Sequence, residues 1–148
     1  MAIRNIVTEG DSVLRKTCRS VLNFDEKLHQ LLDDMKETMY KAEGVGLAAP
    51  QVGILRRICV VDVGDGLIEL INPVIESEEG MQEGAEGCLS LPGKTGVVRR
   101  PMKVTVRAQD RNGNTFTVSG EELKARAFCH EIDHLNGILY VDKAIRKD

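Results

Sequence analysis

The chain has 148 residues, 42% apolar but only 3% aromatic, and its 20 basic and 23 acidic side chains give a net charge of −3. This length suits one domain, residues 1–148, with an aliphatic core that needs neither disulfides nor repeats. The balanced charge argues against direct DNA binding, and no run approaches the ~20 apolar residues of a membrane span, so a soluble, cytoplasmic protein is expected. The four cysteines, Cys18, Cys59, Cys88 and Cys129, are widely spaced, which suits reduced thiols or metal ligation better than a disulfide framework.

Between Asp25 and Glu43, Leu28, Leu31, Leu32, Met35 and Met39 recur at intervals of three and four, so one buried helical face is predicted, with Gly44 as the positive-φ residue that ends it. Arg57–Val63 and Leu67–Ile71 read as strands joined by a tight hairpin at Gly64-Asp65-Gly66. Lys103–Ala108 and Thr115–Val118 form a second pair around Asn112-Gly113. Ser119-Gly120-Glu121-Glu122 has capping-box spacing, predicting a last helix that runs toward Gly137. The order does not alternate as βαβ units would. The expected class is α+β, with antiparallel β-sheets packed around a C-terminal metal-binding helix.

That helix carries His130-Glu131-Ile132-Asp133-His134. Two imidazoles four residues apart on a helix share a face and reach one cation, while Glu131, turned by ~100°, can handle protons beside it. Chance supplies this pattern in such a chain at a rate of order a few per thousand. The remaining histidine, His29, has no such neighbours and reads as a surface residue of the first helix. A catalytic site usually takes three protein ligands. No Glu follows His134, and the third-histidine position of the metzincin pattern is Tyr140, so both protease routes lack their ligand. Cys88, preceded by Gly87, is the candidate third donor. Cys129 adjoins His130 but points ~100° away from it and is assigned to packing.

Three segments together resemble the peptide deformylase family: Gly44-Val45-Gly46-Leu47-Ala48-Ala49-Pro50-Gln51, Glu86-Gly87-Cys88-Leu89-Ser90 and His130-Glu131-Ile132-Asp133-His134. The resemblance implies that Cys88, His130 and His134 bind one divalent metal, typically Fe2+, with Zn2+ and other metals able to substitute. Spacing alone would have favoured zinc. It also implies removal of the formyl group from the N-terminal formyl-methionine of nascent polypeptides. Metal-bound water would attack the formyl carbon while Glu131 acts as general acid and base. The Gln51 side-chain amide and the Leu89 backbone N–H resemble the donors that stabilise the oxyanion; read by themselves, they are a surface amide and a core residue. Val45, Leu123 and Ala127 would form the methionine slot, and backbone groups of Val45, Gly46 and Gly87 would bind the peptide as an added strand. Glu86 and Asp133 read either as carboxylates that orient the histidines and the helix or as structural ion pairs. Arg100 is the partner the resemblance suggests for Asp133; otherwise it belongs, with Arg99, Lys103 and Arg107, to solvated strand edges.

This sequence departs from the family where an arginine often follows the C-L-S segment: here the chain reads Leu91-Pro92-Gly93-Lys94-Thr95. Some bacterial members carry a long basic C-terminal helix that docks on the ribosome, whereas here the sequence ends soon after the motif helix, with Lys143, Arg146 and Lys147 near the terminus, leaving transient ribosome association open. A zinc endopeptidase and a non-catalytic metal-binding domain are the rival classes. The missing downstream ligand argues against the first, and intact Glu131, Gln51 and Cys88 argue against the second.

Overall fold

Asp25 opens the first helix of the computed structural model, which describes residues 2–147: its carboxylate accepts from the Leu28 N–H at 3.1 Å, capping α1 (Glu26–Lys41). The predicted stripe, Leu28 to Met39, is buried. The chain reverses at Glu43, with φ of 58°, and not at Gly44 as expected. Glycine at 44 serves space instead of φ, because a Cβ there would lie 2.8 Å from the Leu89 side chain.

Short β1 (Gly46–Ala48) pairs antiparallel with β2 (Ile58–Val61), and β2 with β3 (Ile68–Glu79). The β2–β3 connection is wider than the tight hairpin expected: Val61 pairs with Ile68, and the Asp62 side chain organises the loop by accepting from the N–H groups of Gly64 and Gly66. The second predicted pair is β6 (Lys103–Gln109) and β7 (Thr115–Glu121), in continuous register from Lys103 opposite Glu121 to Gln109 opposite Thr115. These strands make one five-stranded sheet in the order β1-β2-β3-β6-β7. Alternate β2 residues face opposite layers. Ile58 and Val60 pack with α1, whereas Cys59 and Val61 pack with Phe128 and Ile132 of α2 (Leu123–Leu135).

The sequence did not disclose the strands of the second sheet. There, β4 (Gln82–Cys88), β5 (Leu91–Arg100) and β8 (Ala144–Lys147) pair in the order β4-β5-β8. Helix α2 contacts β1, β2, β6 and β7 of the large sheet and β5 of the small one, so nearly every residue from Ala125 to Leu135 is buried. This is the expected α+β architecture of antiparallel sheets around the last helix. The capping box is not formed. Ser119 and Glu121 continue β7, Ser119 Oγ bonds Thr105 Oγ1, and α2 starts from Glu122 at φ 55° with no side-chain cap. Gln82 Nε2 donates to the Glu122 carbonyl, and the Glu122 N–H donates to the Met102 carbonyl, fixing that turn from outside the helix. His29 is half-buried, not simply at the surface, and its Nε2 meets the Arg111 carbonyl at 2.8 Å.

The leading segment straps the molecule together. Ala2 N–H and the Arg4 guanidinium bind buried Asp34 on α1, Val7 N–H donates to the Gln51 carbonyl, and Glu9 N–H donates to the Ser90 carbonyl. Further on, Cys18 N–H reaches the Leu135 carbonyl at the end of α2. No helix among the described residues is long and apolar enough to cross a membrane.

Candidate metal centre and substrate cleft

Helix α2 presents His130 and His134 toward the end of β4, where the chain turns at Leu89-Ser90 and places Cys88. Donor atoms of Cys88, His130 and His134 all lie within 4.8 Å of one another, and Cys88 Sγ is 3.4 Å from His134 Nε2. Cys129, by contrast, is buried in the apolar cluster under α2.

Each imidazole is prepared differently. His130 Nδ1 sits 2.8 Å from Glu86 Oε1, and since a carboxylate can only accept, Nδ1 carries the proton and Nε2 faces the cluster. Burial works against ionised Glu86, but hydrogen bonds from Arg100 and His130 hold its pKa down to about 2. Burial alone would lower the His130 pKa; the neighbouring Glu131 carboxylate and hydrogen bonds to Cys88 and Glu86 raise it to about 10 instead. A field that favours a proton there also favours a metal cation. Burial, with the charges of His130 and Arg100, holds His134 well below its usual range, leaving the neutral lone pair that a metal requires. A thiolate with two imidazoles is a donor set for a borderline-soft divalent ion, and the residues present fit one.

Glu86 is the hub beneath these donors. It accepts from Arg100 Nε and Nη2, both at 2.9 Å, and from Arg126 Nη1 at 2.6 Å, as well as from His130. Arg100 Nη1 continues to Asp133 Oδ2 at 2.7 Å, tying the β4 carboxylate to α2 one turn beyond His130. Arg100 is only 2% exposed, so it is no solvated edge residue; it is the Asp133 partner that the resemblance suggested, and it serves Glu86 as well. Lys143 also reaches Asp133, at 3.2 Å.

Glu131 lies against β1. A Cβ at Gly46 would fall 2.4 Å from Glu131 Oε2, so only glycine admits the carboxylate at this place. Burial pushes its pKa up to about 7, against the pull of His130 and Arg100. Its Oε1 is buried with no protein partner. Gln51, delivered by the 3-10 turn Ala49–Val52, is 1% exposed and is therefore not a surface amide. Its Oε1 accepts from the Ala48 N–H, which turns Nε2 toward Ser90 Oγ at 3.1 Å and Cys88 Sγ at 3.5 Å.

These groups open into a cleft of about 360 Å³. Val45 and Leu123 stand exposed at its rim and Ala127 is buried within it, while Gly46, Gly87 and Leu89 also line it. Leu89 is half-buried and packs with the α1 layer. The cleft lies between β1 and β4, each the outermost strand of its own sheet. Sequence reasoning missed Arg126, on the α2 face that carries His130 four residues on, and missed what Tyr140 does. The Tyr140 ring stacks on His130 with centroids 6.1 Å apart.

The fold and the site together define a class: an α+β protein with a three-donor Cys/His/His cluster and a buried carboxylate beside a cleft between two sheet edges. Comparison with known proteins makes the class specific. The Polypeptide deformylase family profile matches residues 3–148. The peptide deformylase of Caldicellulosiruptor bescii is 60% identical over 146 residues, covering 99% of this chain and 88% of that protein. That of Alkaliphilus metalliredigens is 60% identical over 147 residues, covering 99% and 100%. Among solved structures, Thermotoga maritima peptide deformylase superposes with a TM-score of 0.95 at 42% identity, covering 97% of this chain and 99% of that one. The Synechococcus elongatus enzyme, crystallised with actinonin, gives 0.93 at 43% identity, covering 95% and 78%. The chain belongs to the polypeptide deformylase family, and so to the hydrolases.

Proposed function

We propose that the protein removes the formyl group from the N-terminal formyl-methionine of nascent polypeptides in the cytoplasm, releasing formate and a free amino terminus. The observation that carries this reading is the convergence of Cys88, His130 and His134, within 4.8 Å, beside a cleft that Cys88, His130 and the buried Glu131 line. Cys88 Sγ and the two Nε2 atoms would hold one divalent ion, Fe2+ in the native enzyme, with Zn2+ or another divalent metal able to take its place. Such an ion, when bound, polarises a carbonyl oxygen and makes water acidic near neutrality.

The other steps belong to the chain. Glu131, with a pKa near 7, takes a proton from the attacking water and returns it to the departing amine. Nε2 of Gln51, aimed by the Ala48 N–H, and the Leu89 N–H at the β4–β5 turn donate to the oxygen of the former formyl carbonyl as negative charge develops there. Ala127 and the rim residues Val45 and Leu123 enclose the methionine side chain. The peptide backbone pairs along Val45, Gly46 and Gly87 as a strand added between the two sheet edges.

The test is formate release from a formyl-Met dipeptide by protein loaded anaerobically with ferrous iron, with an unformylated peptide as control for internal cleavage. Formate without internal cleavage is expected. Stoichiometric metal with no formate would overturn the proposal and return attention to peptide-bond hydrolysis or metal binding alone.

A further inference from the structure

Of the charged residues that line the cleft, Glu86, Arg126, His130 and Glu131 are buried, and Lys94 alone is exposed. The small sheet pushes it there. Glu86 pairs with Gly96 and Cys88 with Leu91, so residues 92–95 of β5 stand opposite Gly87 alone and bulge outward, with Gly93 at φ 77°. The Lys94 carbonyl then lies 3.5 Å from where a Gly87 Cβ would be. Lys94 thus lines the cleft that a peptide strand running along Gly87 would enter. The ammonium is not left as a bare charge. Glu9, from the strap whose N–H is held by the Ser90 carbonyl, reaches Lys94 Nζ with its carboxylate at 2.5 Å. Both side chains remain accessible, at 56% for Lys94 and 41% for Glu9. The pair faces solvent beside the cleft that Lys94 lines, and it is not a buried structural bridge.

We propose that the Glu9–Lys94 pair neutralises the mouth of the cleft, making hydrolysis indifferent to the charge of the residues that follow the substrate methionine. The proposal rests on the deformylase reading and adds a specificity-determining pair to it. An enzyme that serves every nascent chain gains from such indifference. A lone cation would discriminate: a unit charge at ~6 Å across water changes affinity about threefold, so an acidic and a basic substrate would differ about tenfold.

The experiment compares kcat/KM for formate release from formyl-Met-Ala-Ala, formyl-Met-Ala-Glu and formyl-Met-Ala-Lys amides, using iron-loaded enzyme at low ionic strength. The parent protein should treat the charged pair within about threefold. Glu9→Gln should favour the acidic peptide by about tenfold while leaving the neutral one unchanged. Lys94→Gln should favour the basic peptide, and the double variant should return to indifference. High salt should erase both biases. Unchanged ratios in both single variants, or biases that persist in high salt, would overturn the proposal. Failure of the parent protein to release formate from the neutral peptide would instead strike the deformylase reading itself.

Discussion

Replacing Gly46 with alanine should disable proton transfer without touching a single metal donor. The new methyl group would begin 2.4 Å from Glu131 Oε2, 2.8 Å from Cδ and 2.9 Å from Cγ. All are far inside the normal ~3.5–4.0 Å contact of carbon with its neighbours. Glu131 is buried and fixed at its root by α2, so its carboxylate must swing by about 1 Å, and a displacement of that size costs on the order of 100-fold in rate. The equivalent barrier increase is about 2.7 kcal/mol. The readouts are kcat and KM for formate release, with metal content measured on the same samples. Metal stoichiometry should be unchanged and the loss should fall on kcat. Gly46 also stands where the peptide is proposed to pair, so the double variant with Glu131→Gln separates the two effects: if both act through the carboxylate, adding Gly46→Ala to Glu131→Gln costs little more. Full activity in Gly46→Ala, or loss of metal with activity, would refute the argument.

Glu131→Gln alone should bind metal normally and lose 10²- to 10⁴-fold in turnover, as judged by metal analysis beside formate release. Glu86→Gln should destabilise the chelated protein by about 3 kcal/mol in urea unfolding, from a carboxyl pKa moved from 4.5 to about 2. Because the folded-state pKa is depressed, this stabilisation is present above about pH 4.5 and disappears as pH falls toward 2. The gap between parent and variant should therefore close in that window, and a constant gap would count against the ionic account. Peroxide or prolonged exposure to air should inactivate ferrous enzyme through the metal or the half-buried Cys88 thiol, with oxidation at Cys88 read by mass spectrometry. Retention of full activity after such exposure would count against an iron site open to the cleft.

What was legible in the sequence was local chemistry. The α1 stripe, the two strand pairs of the large sheet and the H-E-x-x-H helix each carry their own periodicity or motif, and each formed, although the first pair is joined by a wider loop than the glycines suggest. The small sheet carries no such signal. Gln82–Cys88 contains two glycines and no apolar alternation, and β5 contains Pro92, Gly93 and Gly96. Leu91 and Val98 pack with Leu14, Leu139 and Tyr140, and Glu86 of β4 is buried against Arg100 at the end of β5 and Arg126 of α2, although composition marks those three charged residues as solvent-facing. The capping box misled for a related reason: backbone pairing with β6 as far as Glu121 claims Ser119 and Glu121 for a strand. At the site, the donors and Glu131 could be named from residue types, but the reach of Arg100 to both Glu86 and Asp133, and the stacking of Tyr140, depend on contacts between distant segments.

The strap that opens the chain bears on how the protein is made. Its hydrogen-bond acceptors, the carbonyls of Gln51, Ser90 and Leu135, are synthesised progressively later, and the last of them only at the end of the histidine helix. Contacts between such remote segments slow folding, because each must close a long loop before it gains anything. During synthesis the leading segment therefore meets its partners in stages, first Asp34 of α1, then Gln51 and Ser90, and the Leu135 carbonyl only once α2 has emerged, so the last tie between this segment and the histidine helix closes late.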